Sequence, residues 1–242
     1  MARAGWIGVS GELARAGSCE QRQRHQPEGE PAAAFHGHSA GTVLPRAASL
    51  TCYPRPVSSR SLAPSLLVAM PQLLDPNFRR AVVLLVHHDD GGTFGVVLNR
   101  PTQITAPNLC ASLEIDWCGD SRDPIDWGGP VQPQTGWVLF ERSPGIATED
   151  DVKDVGEGVC FAGSLDILRQ IATDPPDQVR LLLGYAGWGP GQLESELSEG
   201  AWLLAPVRRE VVFDIEPSDM WEYVVRSLGI EPATLIPTRG VH

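Results

Sequence analysis

Ala81-Val82-Val83-Leu84-Leu85-Val86-His87-His88-Asp89-Asp90-Gly91-Gly92-Thr93-Phe94-Gly95-Val96-Val97-Leu98-Asn99 is the stretch whose reading decides the fold. Its first half is aliphatic and rich in β-branched residues, the composition of a buried strand. The uninterrupted run Ala81 to Val86 is far too short to span a bilayer. Asp89-Asp90-Gly91-Gly92 is turn chemistry, with glycines that tolerate positive φ, and Thr93 to Asn99 returns as a second strand stopped by Pro101. The spacing therefore predicts an antiparallel hairpin.

Upstream, Ser65 to Met70 reads as a buried strand closed by Pro71. Downstream, a short helix is expected between Ala106 and Ile115, with strands at Gly136–Phe140 and Gly158–Phe161. Ser164 can N-cap a helix that turns Leu165, Ile167, Leu168 and Ile171 inward. Further strands are expected at Gln178–Tyr185, Trp202–Leu204 and Glu210–Asp214, and a helix at Gly191–Leu197 with Pro190 near its first turn. A last helix runs from about Asp219, carries Trp221, Val224, Val225 and Leu228 on one face, and ends at Gly229. Hairpin strands with inserted helices define an α+β domain.

Residues 1–60 are of a different kind. They hold seven arginines against four glutamates, carry no sustained hydrophobic period, and are rich in Ala, Ser, Pro, Gly and Gln. This is the composition of a disordered N-terminal extension, or of a start codon assigned too early, with the globular domain at 61–242. The domain itself has 12 basic and 26 acidic residues, and the whole chain of 242 residues has a net charge of −11. Such a surface repels phosphate backbones and anionic membranes, so a non-specific nucleic-acid binder is not expected. The five cysteines form no CxxC pair. Reduced thiols in a cytoplasmic protein are the plain expectation.

Several segments could carry chemistry. Asp75, followed by Pro76, could position a polar ligand together with Arg79 or Arg80, although a capped turn plugged by Phe78 explains the same residues. His87 and His88 point to opposite faces of a strand, so they cannot share one metal site, and no metal or cofactor is expected. The Gly184-Tyr185-Ala186-Gly187-Trp188-Gly189-Pro190-Gly191-Gln192-Leu193-Glu194 segment runs from strand through a glycine-rich loop into a helix, where anions can bind backbone N–H groups. Its spacing is neither GxGxxG nor a P-loop, and a structural corner is favoured over a ligand loop. The candidate ligand-binding residues are therefore Asp75, Arg80, His87, Asn99, Tyr185, Trp188, Gln192 and Glu194. No GxSxG, HExxH or recognisable Ser-His-Asp set occurs, so no catalytic residue is assigned.

Five blocks together resemble the bacterial YqgE/AlgH family: Leu66 to Pro71, Asp75 to Val82, Gly95 to Pro101, Gly129-Pro130-Val131, and Gly184 to Glu196 with Ala201-Trp202 beyond it. The resemblance covers the chain from about Leu62 onward. It implies a single α+β domain with a mixed, largely antiparallel, bifurcated, barrel-like sheet flanked by helices. It implies no established activity, although some members carry the label of transcriptional regulator. Thr135 and Phe140 stand where an Arg and a His often occur, so a family site that needed the His would be missing here. The leading expectation is a non-enzymatic binding or regulatory protein acting through a protein partner or a small ligand. The alternatives are a DNA-binding regulator and a metal-dependent hydrolase or nuclease using acidic residues such as Asp75, Glu194 and Glu196.

Overall fold

The computed structural model describes residues 61–120, 122–143, 146 and 152–235. The expected N-terminal extension lies outside the described residues. In chain order the described elements are strands β1 (Ser65–Ala69), β2 (Val82–Asp89), β3 (Gly92–Val97) and β4 (Pro101–Thr105), helix α1 (Ala106–Ser112), then β5 (Pro124–Trp127), β6 (Val131–Glu141), β7 (Val152–Asp154) and β8 (Val159–Ala162). There follow α2 (Leu165–Thr173), β9 (Val179–Trp188), α3 (Gln192–Ser198), β10 (Trp202–Ala205), α4 (Arg209–Phe213), α5 (Pro217–Ser227) and α6 (Pro232–Leu235).

The strands join in one curled, largely antiparallel sheet of order β10-β1-β2-β3-β9-β6-β8-β7. β9 is its branch point. Its first half pairs with β6 on one side and in parallel with β5 on the other, while Ala186 to Trp188 pair with β3. The architecture is α+β with a bifurcated, half-barrel sheet.

The β2–β3 hairpin forms where the sequence places it, with Asp89 opposite Gly92. Asp89 Oδ1 accepts the Gly91 N–H at 2.8 Å, and Gly92 adopts φ +134°, the conformation a glycine supplies there. The lack of alternation in Val82 to Val86 has a direct cause, since both faces of the strand are covered. Val82, Leu84 and Val86 join Leu66 and Val68 in an inner core closed by Val211 and Val212 of α4 and by Met220, Trp221, Val224 and Val225 of α5. Val83 and Leu85 join Leu67 and Ala69 in a second core with Trp188, Leu193 and Trp202. A third core packs Ile167, Leu168 and Ile171 of α2 against β5, β6 and β8. Ser164 caps α2 as expected, accepting the Asp166 N–H at 3.2 Å.

One buried ion pair ties several of these elements together. Arg180 on β9 donates through Nε and Nη2 to Asp126 Oδ2 at 2.9 and 2.5 Å, and reaches the carbonyls of Val212 at 2.7 Å and of Leu98. The guanidinium thus joins β9, β5, α4 and the end of the hairpin. Burial raises the Asp126 pKa and the Arg180 charge opposes that shift.

Several details differ from expectation. Glu210–Asp214 lies in and just beyond α4 and is not a strand, because Val211 and Val212 both enter the inner core, which strand alternation forbids for neighbours. β4, β5 and β7 were not expected, being short and carrying little apolar alternation. Pro190 precedes the left-handed N-cap Gly191 of α3 and is outside the helix. Among the described residues Cys110 and Cys160 are buried free thiols. Among the described residues no helix is long and apolar enough to cross a membrane.

Candidate functional site

The glycine-rich corner between β9 and α3 is closed by its own groups. Before the corner, inside β9, Gly184 has φ +75°, and a Cβ there would lie 2.3 Å from the carbonyl oxygen of Gly129 in the β5–β6 connection. A Cβ on Gly129 would lie 2.1 Å from the Tyr185 carbonyl carbon. These glycines let two backbone segments touch, which is a packing requirement. Gln192 Oε1 accepts the Gly189 N–H at 3.0 Å, so that amide is occupied from within the loop.

Glu196, which the sequence offers only as one acidic residue of the hydrolytic alternative, is the hub of this corner. Its Oε2 accepts the indole N–H groups of Trp188 at 3.0 Å and Trp202 at 2.7 Å, and its Oε1 accepts Gln192 Nε2 at 2.9 Å. Phe78 lies against both indoles, with ring centroids 6.2 and 5.5 Å away. Asp75 Oδ1 accepts the Asn77 N–H at 2.9 Å in an exposed Asx turn that delivers Phe78 to this cluster.

The expected candidates do not converge on one site. His87 is exposed and meets Asp89 Oδ2 at 2.9 Å, while His88 on the opposite face is buried with Nδ1 2.8 Å from Thr93 Oγ1. Glu194 reaches only to 3.7 Å from His88 Nε2, beyond hydrogen-bond range. Tyr185 packs with Phe94 and Trp137 on the inner face, away from the Trp188 cluster. Phe140 lies in the third core and Thr135 is buried against Gln132. Among the described residues no group of three or more His, Cys, Asp or Glu is placed to hold a metal.

Two candidates, Arg80 and Asn99, do share a cleft. It has a volume of about 420 Å³ and lies between the Arg79-Arg80 turn, the Asn99-Arg100-Pro101 corner and the first turns of α5. That volume suits a small molecule. Asn99 is its structural hinge. Buried to 6% exposure, it accepts the Val82 N–H at 3.0 Å through Oδ1 and donates through Nδ2 to the Arg80 carbonyl at 2.8 Å. This grip holds Arg80 at φ +53°, a left-handed conformation unusual outside glycine. The Arg80 guanidinium then lies over the Trp221 ring at 5.0 Å and 3.9 Å from Glu222. Trp221 is itself fixed by donating its indole N–H to the Ala69 carbonyl at 2.8 Å.

Arg100 completes the wall. Its Nη1 donates to the Asn99 carbonyl at 3.1 Å and its Nη2 to the Arg79 carbonyl, so the guanidinium is held in place by backbone. Partial burial lowers its pKa. Every other described arginine except Arg79 has a carboxylate oxygen within 3.9 Å. Arg79 and Arg100 have no carboxylate partner among the described residues, and both line this cleft. Sequence reasoning noted Arg79 beside Asp75 but missed Arg100, Ser218 and Trp221. The Arg79-Arg80 pair and Arg100 beside the predicted strand end were the available signal.

The half-barrel α+β fold is shared with known bacterial proteins. The AlgH-like family model matches residues 66–233, and the chain belongs to that family. It is 40% identical over 184 residues to a "UPF0301 protein" of Myxococcus xanthus, covering 76% of this chain and 99% of the relative. A UPF0301 protein of Anaeromyxobacter dehalogenans is 42% identical over 187 residues, covering 74% and 94%. The solution structure of the AlgH protein from Pseudomonas aeruginosa superposes with a TM-score of 0.60 at 32% identity, covering 78% of this chain and all of that one. A crystal structure from Corynebacterium diphtheriae gives a TM-score of 0.59 at 25% identity, covering 70% and 88%.

Proposed function

We propose that this chain is a non-enzymatic binding or regulatory protein of the cytoplasm, and that its ligand or protein partner engages the cleft between the Arg79-Arg80 turn, the Asn99-Arg100-Pro101 corner and α5. The domain at 61–242 carries this function, with 1–60 as an extension. The observation behind the reading is the meeting of Arg79 and Arg100 in one concavity of a domain with 26 acidic and 12 basic residues. Carboxylates in that excess neutralise the remaining described arginines, so two cations left over in the same place mark a site kept for something else.

Direct DNA binding is weakly supported, because arginines already held by carboxylates have little to offer a phosphate backbone. A hydrolytic role for Glu196 is likewise weakly supported, since both its oxygens accept hydrogen bonds from Trp188, Trp202 and Gln192. A thermal-shift screen against metabolites, run beside a pull-down, tests the proposal. Ligands or partners whose effect is lost in Arg79→Gln support it. Silence in both assays, or a tight salt-dependent gel shift with DNA, would count against it.

A further inference from the structure

Resting on the reading of this cleft as the binding site, we infer that its ligand carries an oxyanion group with two negative charges, a phosphate monoester or a dicarboxylate. The chemistry of the walls argues for it. Arg79, Arg80 and Arg100 all line the cleft, and Glu222 is the single carboxylate among its lining residues. Glu222 lies nearer to Arg226, at 3.3 Å, than to Arg80, at 3.9 Å, so it leaves the cleft with a surplus of positive charge.

A half-buried cation without a counter-charge is unfavourable, because the surrounding protein removes water and supplies only carbonyl dipoles in return. Arg180 shows how the same fold treats a buried arginine with no external task. It receives Asp126 as well as two carbonyls. Arg100 receives two carbonyls and no carboxylate among the described residues. Its bonds to Asn99 and Arg79 fix the guanidinium plane and leave N–H groups over, since the group has five donors. A fork fixed in this way suits the planar or tetrahedral oxygens of a carboxylate or phosphate. Arg80, held in its left-handed conformation by Asn99, stands on the Trp221 ring and is likewise placed before any ligand arrives. Arg100 and Arg80 are therefore both held in place for negative charge before it arrives. Trp221 is 2% exposed with its N–H occupied, so it contributes a platform for Arg80 and not a stacking surface for a base.

The test is an NMR titration of the full chain at constant ionic strength with glycerol phosphate, succinate and uncharged glycerol, reading the Trp221 indole N–H and the backbone amides of Asn99 and Ser218. The expected result is a saturable shift with glycerol phosphate, succinate or both, none with glycerol, and a loss of about tenfold or more in affinity in Arg79→Gln. Arg79 is exposed and its guanidinium is not bonded to other described residues, so this variant keeps the fold. Arg100→Lys, which retains charge but not the fork, should weaken binding as well. Which anion saturates at lower concentration identifies the source of the oxyanion. Saturation unchanged in Arg79→Gln, or no response to either anion, overturns the inference. If an uncharged metabolite from the thermal-shift screen moves the same signals while both anions fail, the cleft remains the site and only its charge preference is refuted. If nothing moves them, both readings fall.

Discussion

At the corner between β9 and α3, Glu196 accepts two indole N–H groups and a glutamine amide, whereas at the cleft beside α5 Arg79 and Arg100 meet no carboxylate among the described residues. The two regions are neighbours in sequence at one point. Phe78 belongs to the first and Arg79 and Arg80 to the second. The difference separates polar groups that hold the fold together from polar groups whose partners are absent. Glycines, tryptophans and a glutamate looked in the sequence like a site, and they form a closed structural joint. Ordinary arginines at a turn and at a strand end form the open one.

This contrast can be broken first among the structural groups, at the close approach of Gly129 to β9 and then at the joint itself. Gly129→Ala places a methyl group into the Tyr185 backbone 2.1 Å away, an overlap that neither segment can relieve without separating β6 from β9. A loss of roughly 4 kcal/mol or more is expected in urea unfolding, or failure to accumulate folded protein. Glu196→Ala leaves the buried indoles of Trp188 and Trp202 without acceptors and should cost about 2–4 kcal/mol, with Glu196→Gln recovering part of it. A near-neutral Glu196→Ala would mean that the corner is not held by this carboxylate.

At the cleft the expected order reverses. Arg79→Gln should change the melting temperature by no more than about 1–2 °C while abolishing most anion binding. A large loss of stability in this variant would move Arg79 into the structural class and remove the contrast.

The smallest effect concerns pH. Asp89, Asp120, Glu141 and Asp154 are held below the ordinary carboxylate range, chiefly by hydrogen bonds from the His87 side chain, the Arg122 backbone, the Arg209 guanidinium and the Gly156 backbone respectively. Lowered folded values mean that stability present at neutral pH is lost as these groups take up protons, below about pH 4. Asp123 and Asp126, which burial raises, act in the opposite sense. Melting temperatures measured from pH 7 to pH 3 should stay level above pH 5 and then fall modestly. A fall already complete at pH 5 would contradict these assignments.

The hairpin was legible because Val82 to Val86 are aliphatic without alternation, which a strand covered on both faces requires. The helical face of Trp221, Val224, Val225 and Leu228 was legible for the complementary reason, since all four join the inner core. β4 and β5 were not, because a pair of short polar strands is defined by its partner and not by its composition. The cleft was half visible. Arg80 and Asn99 were singled out, but the site needs residues near 80, 100 and 220, and the packing of α5 against the hairpin is what unites them. Nor does a sequence state which arginines find carboxylates. Arg180 and Arg100 look alike in the chain and differ only once Asp126 is placed beside one of them.

The most direct test is the gain in melting temperature on adding saturating glycerol phosphate to the wild type, Glu196→Gln and Arg79→Gln. Ligand bound at 100 times its Kd stabilises by about 2.7 kcal/mol, a shift well within measurement. The wild type and Glu196→Gln should gain equally from their different starting points, and Arg79→Gln should gain little. An undiminished gain in Arg79→Gln, or a gain lost in Glu196→Gln, would place the binding site at the glycine corner or elsewhere and contradict the division between joint and cleft.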